Sequence, residues 1–353
     1  MPLGSVRSSA GILSAGIAVV LASCRGESAG EALPPIPDPE GFAGSFAGTS
    51  RGLIVAGGAH FPDRKPWEGG TKIWTDSIFF LDAPKGHWRR LGRLPRPLGY
   101  GVSATWNDGL ICAGGSNADD HLADVFCIEA AGKGMRIVPL PPLPIPVANG
   151  CGTLVGSRLF VVGGQESPQS TEALAAAFSL DLNSPTATWQ REPSLPGPGR
   201  ILAMAAVCDD SLYVVGGASL AAGPDGKAKR TYLADGFRLR PGVGWERIAD
   251  LPRPSVAAPS PAPSDGRGFW LLGGDDGSHV GFEPPTAHPG FSSAILRYDA
   301  AANSWTPAGT LPAPRVTVPV ARWGDRWVLA GGEVRPGVRS PEVLSFHPAR
   351  TAR

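Results

Sequence analysis

The 353-residue chain carries almost no net charge: 32 Lys and Arg stand against 31 Asp and Glu, for a balance of +1. That balance offers no electrostatic footprint for nucleic acid or another acidic polymer. Sustained hydrophobic runs are missing as well, apart from one near residues 11–22 that is too short for a spanning helix. Cysteine is scarce, and Cys112, Cys127, Cys151 and Cys208 have none of the spacings of a zinc site. What the chain has in abundance is glycine and proline, 48 and 37 residues, the punctuation of a β protein rich in turns.

Six short apolar runs each end in a glycine pair: LIVAGG at Gly58, LICAGG at Gly115, LFVVGG at Gly164, LYVVGG at Gly217, FWLLGG at Gly274 and WVLAGG at Gly332. Successive pairs lie 57, 49, 53, 57 and 58 residues apart. Runs this short, rich in Val, Ile, Leu and Phe, read as buried strands. A second apolar run follows each variable loop, as in DSIFFLD and DVFCIEA. Then comes a tryptophan in four of the repeats (Trp88, Trp189, Trp245, Trp305), while Met135-Arg136-Ile137 takes that place in the second. Proline-rich links beginning at Leu94, Leu143, Leu195, Leu251 and Leu311 close the units. Proline removes a ladder donor, so these links are turns between sheets. The stretch after each link supplies the innermost strand of the next sheet. Four strands per unit and six units predict an all-β, six-bladed β-propeller of the kelch type. The glycines allow the sharp turn where a strand leaves the shaft, and the tryptophans cover gaps between sheets.

The ends read differently. Arg7 precedes the apolar stretch, which finishes Leu21-Ala22-Ser23-Cys24. Residues 1–23 are expected to be a signal peptide. The Leu-Ala-Ser-Cys ending resembles a bacterial lipobox, which implies lipid attachment at Cys24 and a tether over residues 24–40. The propeller is then expected over residues 41–353. The protein is expected to be exported to the periplasm or cell envelope, touching a membrane only through its lipid. In that compartment Cys112 and Cys127, on consecutive strands, form either a cross-strand disulfide or two buried thiols. The last repeat stops without its Trp strand, so the two ends meet within or beside one sheet.

Propellers bind ligands at the mouth of the shaft. The residues directly after the glycine pairs are therefore the first candidates: Ala59, Ser116, Gln165, Ala218, Asp275 and Glu333. Glu333 opens the compact loop GEVRPGVRS, which also holds Arg335 and Arg339. A carboxylate and a guanidinium on one turn suit a small anionic substrate, the arginine gripping a carboxylate while the acid moves a proton. The same residues also suit a salt-bridged rim loop.

The loop at residues 331–340 resembles the GEAKPGLRT loop of the bacterial N-acetylneuraminate epimerases, the kelch-type sialic acid mutarotases. Residues 67–78 (WEGGTKIWTDSI) and 99–115 resemble that family's later repeats, whereas residues 143–154 (LPIPVANGCGTL) resemble its beginning. The resemblance covers nearly all of residues 41–346, in permuted order, and is that of the cyclically permuted mutarotases. It implies anomer interconversion of a small acidic sugar with no metal or redox cofactor. Glu333 is implied as the proton acceptor, and Arg339 as its neighbour holding the sugar carboxylate. Arg335 and Glu68 are further substrate-binding candidates, Glu68 because its loop follows the first glycine pair. The chain departs from the family at Val256-Ala257-Ala258-Pro259, where an Ala-Gly-His stretch is expected, and in a shorter loop after Asp275. The alternative is a non-enzymatic kelch module that binds a glycan or protein. A copper-radical oxidase needs a tyrosine-rich ligand set that four tyrosines supply poorly, and a sialidase needs Asp-box repeats and an arginine triad that are missing.

Overall fold

A strand that ends in two left-handed residues must turn away from its own sheet, and this happens six times around a common axis. The computed structural model describes Met1 and residues 32–347. Those residues form six antiparallel sheets arranged as a β-propeller. Blade 1 runs outward from the shaft as Phe46–Thr49, Leu53–Ala56, Ser77–Leu81 and Arg89–Arg93. Blades 2, 3 and 4 repeat the pattern from inner strands Val102–Trp106, Cys151–Val155 and Met204–Cys208 to outer strands Gly134–Pro139, Gln190–Glu192 and Gly244–Ile248.

Blade 5 departs from the expected four strands. Only Gly268–Leu272, Ala294–Asp299 and Ser304–Thr310 form its sheet. The segment in the innermost place carries Pro259, Pro261 and Pro263, which have no N–H to give a ladder. The amides between them turn to the flanking blades instead: Ser260 donates to the Val318 carbonyl and Ala262 to that of Ala205. Blade 6 contains Val320–Trp323, Arg326–Ala330 and Val343–Phe346, and its outer edge is filled by Ala32–Leu33 from the other end of the chain. The propeller thus includes Ala32 and Leu33, inside the stretch read as a tether, and Ile36 is buried beneath it. The signal segment and Cys24 lie outside the described residues.

The core is divided among the blade interfaces. Between blades 1 and 2, Phe46, Ile54, Ile78 and Phe80 meet Leu110, Cys112, Phe126 and Ile128. Comparable apolar clusters fill the other five interfaces. The tryptophans bridge the same interfaces at their outer ends. Each indole N–H donates to a carbonyl just beyond the preceding blade: Trp88 to Pro34, Trp189 to Pro141, Trp245 to Pro193 and Trp305 to Ala249, at 2.7–3.0 Å.

At the inner ends the glycine pairs do the stitching. All twelve glycines have positive φ. In five blades the second glycine donates its N–H into the segment that enters the next blade, as Gly115 does to Val147 at 2.7 Å. A Cβ on Gly114 would stand 2.3 Å from the same Val147 carbonyl oxygen. Beyond each pair, the next residue forms an isolated antiparallel bridge to the entering chain: Ala59 with Ala43, Ser116 with Gly99, Gln165 with Ala148, Ala218 with Ile201, Asp275 with Val256, and Glu333 with Val316.

These entering segments close a second, smaller circle. Tyr100 N–H donates to Gly44, Asn149 to Tyr100, Leu202 to Asn149, Ala257 to Leu202, Thr317 to Ala257 and Gly44 to Thr317, all at 2.7–2.8 Å. The six residues all have φ between 53° and 67°. For five of them, which bear side chains, such backbone costs about 1–3 kcal/mol each. Opening one link leaves a donor and an acceptor without their protein partners, which adds to the cost. The circle survives because it is closed.

Cys112 and Cys127 do sit on neighbouring strands, but Cys112 pairs with Phe126 and Cys127 with Ile111. That one-residue offset places them on opposite faces of blade 2, in different interface clusters. They cannot form the cross-strand disulfide and are buried free thiols. Burial pushes the thiols of Cys127 and Cys151 up to about 12 and that of Cys208 up to about 11.

Two outcomes are expected. Gly114→Ala should lower stability by about 3 kcal/mol, combining strained φ with a backbone clash. Gly132→Ala, at φ 57° but with open space around it, should cost no more than about 1–2 kcal/mol. Urea denaturation midpoints of the two variants test the contrast. In addition, Cys112, Cys127, Cys151 and Cys208 should resist a thiol reagent at pH 8 in the folded protein and all react in denaturant without reductant.

Candidate active site at the mouth of the shaft

Glu333–Arg335 and Val338–Arg339 form a small hairpin turned by Pro336-Gly337, and its register sets Glu333 directly opposite Arg339. Cross-strand partners share a face, so the two side chains meet. The backbone under Glu333 is held on both sides, exchanging two 2.9 Å hydrogen bonds with Val316. Its Oε1 accepts the Gly337 N–H at 2.6 Å and lies 2.7 Å from Arg339 Nη1. The Arg339 contact is ionic, since Nη1 lies outside hydrogen-bond angles to any acceptor. Both contacts fall on one oxygen, which leaves Oε2 available for a proton.

Arg339 is buried, with 5% of its side chain exposed. Its Nε donates to the Ala59 carbonyl at 3.4 Å, and its guanidinium lies 5.1 Å from the centre of the Phe61 ring. It therefore reaches from blade 6 to the first residue past blade 1's glycine pair. Tyr100, from the link into blade 2, completes the group. Burial pushes its hydroxyl above the ordinary tyrosine range, against the opposing pull of the Arg339 cation.

These residues line a cavity of about 490 Å³. Four of the six positions singled out in the sequence open onto it: Ser116, Gln165, Asp275 and Glu333. Beneath it the circle of backbone hydrogen bonds separates the mouth from a shaft cavity of only about 70 Å³. The charges at the mouth are Lys72, Arg230 and Arg339 against Glu333 and Asp275. Asp275 is already engaged, accepting the Tyr232 hydroxyl at 2.8 Å and the Gly277 N–H at 3.0 Å. His121 contacts the Gln165 carbonyl through Nδ1 at 3.1 Å, so that nitrogen carries the proton. Burial pushes its imidazole below the usual histidine range, which keeps it neutral at neutral pH.

Lys72 was not singled out from the sequence. Its Nζ lies 4.3 Å from the centre of the Trp74 ring and 4.9 Å from that of Tyr100, held by cation–π attraction. Burial, with Arg339 and Arg230 adding repulsion and Glu333 opposing them, pushes its amine below the ordinary lysine range. The clue in the sequence is its place in the loop after a glycine pair, the loop that also holds Glu68. Glu68 instead ends a single 3-10 turn at Pro66–Glu68, exposed, with its Oε2 accepting the Lys65 N–H at 2.9 Å. It caps its own turn and does not line the cavity. Arg335 points away too, donating to the Thr286 carbonyl at 2.9 Å. Among the described residues no group of three or more His, Cys, Asp or Glu is placed to hold a metal ion.

Comparison with known proteins adds a partial likeness. Residues 31–137 match the profile of a family described as N-acetylneuraminate epimerase. An N-acetylneuraminate epimerase of Salmonella enteritidis is 42% identical over 99 residues, covering 24% of this chain and 25% of that protein. The relative from Salmonella typhi matches to the same extent. N-acetylneuraminate epimerase 1 of Escherichia coli O6:H1 is 34% identical over 117 residues, 30% of this chain and 31% of its own. The matched region therefore spans only about a quarter to a third of these relatives' lengths. The family match over residues 31–137 takes in the closing strand, blade 1 and most of blade 2, with Lys72, Trp74 and Tyr100, but not Glu333 or Arg339.

The electrostatics can be measured directly. With lysines carbon-13 methylated, Lys72 should titrate below the ordinary lysine range. Arg339→Gln should raise that pKa, because it removes a repelling cation and leaves Glu333 unpaired beside the amine. A Lys72 titration unchanged in the variant contradicts the arrangement.

Proposed function

We propose that the chain is a sugar mutarotase that interconverts the anomers of N-acetylneuraminate or a closely related acidic sugar. The observation that carries this reading is the Glu333–Arg339 pair, 2.7 Å apart, one oxygen of the acid engaged and the other available, at the mouth of a cavity with an excess of cations. The names of the relatives support the substrate class. So does the position of the match. A ring opened at a different blade gives a linear match on one side of the cut only. The match ends at residue 137, just before the link at Leu143 where the repeat order of the relatives is expected to restart.

In this reading the sugar carboxylate docks on Arg339. Bringing a second anion to about 4 Å from Glu333 costs about 4 kcal/mol at an effective dielectric of 20, unless a further cation offsets it. Lys72 is that cation. Glu333 takes the proton of the anomeric hydroxyl while the bond from the anomeric carbon to the ring oxygen breaks. The Lys72 ammonium, made a better acid by burial, delivers a proton to the departing ring oxygen. The product is the open-chain keto form. Rotation about the carbon–carbon bond beside the carbonyl turns its other face to the hydroxyl, and reversal of both proton transfers closes the ring there and restores Glu333 and Lys72. No net proton is consumed, and product and substrate differ only in configuration.

Export and anchoring through a lipid on Cys24 belong to the same proposal. They rest on the N-terminal sequence, and incorporation of labelled palmitate that is lost in Cys24→Ala is the expected result.

Catalysis is tested by following proton NMR signals of freshly released α anomer. The protein should accelerate equilibration, and Glu333→Gln should reduce the effect by about 10²–10⁴, the usual contribution of general acid–base catalysis. The Gln side chain retains an oxygen for the Gly337 N–H, so the hairpin should persist. Equilibration at the buffer rate by folded protein refutes the assignment. Lys72→Met, which removes the general acid, should lower kcat/KM by about 10²–10⁴ as well.

A further inference from the structure

A second cleft opens beside the mouth. Its volume is about 410 Å³, and it shares Arg230, Asp275 and Pro336 with the first cavity. Its other walls are largely aromatic: Trp67, Tyr232, His279, Phe282 and His288. His279, Phe282 and His288 form a mutually edge-on cluster with ring centres 5.6–5.7 Å apart. Phe282 remains 37% exposed and Val280, next to it, 69%. Single exposed apolar residues are unremarkable, but here they adjoin a concave aromatic surface. His288 Nδ1 accepts the Gly290 N–H at 3.0 Å, which leaves Nε2 as the protonated nitrogen of the neutral ring. Trp67 carries a buried indole N–H with no protein partner.

This cleft is tied to the reactive hairpin. The Arg335 guanidinium joins the 285–287 turn to the strand of Glu333. On the opposite side, Gly337 is so close to Trp67 and Pro66 that an added Cβ would stand 3.1 Å and 2.8 Å from them. The turn that holds Glu333 is thus a shared wall between the two cavities.

Resting on the proposed reaction, we infer that the adjoining cleft binds the second ring of an acidic disaccharide whose reducing residue lies over Glu333 and Arg339. Size favours a ring over a substituent. The first cavity is large enough by itself for one sugar acid, and the second is nearly as large. Chemistry favours a sugar over an apolar group. Aromatic faces pack against the C–H faces of a pyranose, while His288 Nε2–H and the Arg230 guanidinium supply donors for its hydroxyl and carboxylate oxygens. Arg230 is also common to both cavities, so it lies where the two residues join. The reducing residue keeps its free anomeric hydroxyl, as ring opening requires.

Isothermal titration tests this with two probes, both at anomeric equilibrium so that no net reaction contributes heat. One is N-acetylneuraminate. The other is its dimer, in which one residue is linked through its anomeric carbon to the glycerol tail of a residue with a free anomeric hydroxyl. Wild-type protein should bind the dimer about tenfold or more tightly than the monomer, equivalent to at least about 1.4 kcal/mol. Phe282→Ala and His279→Ala should each bring that ratio toward one, with monomer binding serving as the check on folding. Equal affinities in wild type overturn the second subsite and leave the mutarotase reading standing. Binding of neither probe overturns both. A dimer preference that persists in both variants refutes the assignment of this cleft.

Discussion

The closed circle of backbone hydrogen bonds through Gly44, Tyr100, Asn149, Leu202, Ala257 and Thr317 is the constraint on which the rest of the molecule depends. Each link joins neighbouring blades at the point nearest the axis, where strands are too crowded to pair face to face. A chain in the ordinary β region cannot present N–H to one neighbour and C=O to the next around so tight a ring. The left-handed backbone does so at every blade, although five of the six residues bear a side chain. That choice also decides what lies above. Five of the six, all but Gly44, form the floor of the mouth cavity, and Tyr100 is placed from there beside Arg339 and Lys72.

Much of this architecture was legible in the chain because it is periodic. Glycine pairs, tryptophans and proline links recur in phase, and each proves to have one job: inner stitching, outer stitching and passage between sheets. The Glu333–Arg339 pair was legible for a different reason, its six-residue spacing around Pro336-Gly337 being a hairpin in itself. The unreadable parts are local or non-local exceptions. Ala32–Leu33 is two residues long and carries no period. The inner segment of blade 5 has the right place in the repeat, yet three prolines remove the donors a strand needs. Lys72 joins the site through contacts between blades 1 and 2 that no spacing within either repeat predicts. Glu68, four residues earlier, is diverted by a short-range hydrogen bond to Lys65. Local capping prevailed there over any reach to the mouth.

The site also shows how function is written on a symmetric frame. Six equivalent positions follow the glycine pairs, and the backbone treats them alike, each with its bridge to the entering chain. Their side chains differ. Asp275 and Glu333 are both acidic, but Asp275 accepts a tyrosine hydroxyl on one oxygen and its own turn on the other, whereas the contacts of Glu333 both fall on Oε1. The difference lies in the loops that follow, a long excursion in blade 5 and a tight hairpin in blade 6.

The closing strand carries a mechanical consequence. Among the described residues the ring is sealed by two residue pairs, Ala32 with Leu344 and Leu33 with Val343. Every other blade holds its outer strand through three or more. The strand being sealed follows the hairpin of Glu333 and Arg339 within a few residues. Tension applied at the N-terminal end therefore loads this seam first. Peeling it bares the edge of the strand that follows the Glu333–Arg339 hairpin, so the propeller's grip on its closing strand and the geometry at its mouth share one fastening.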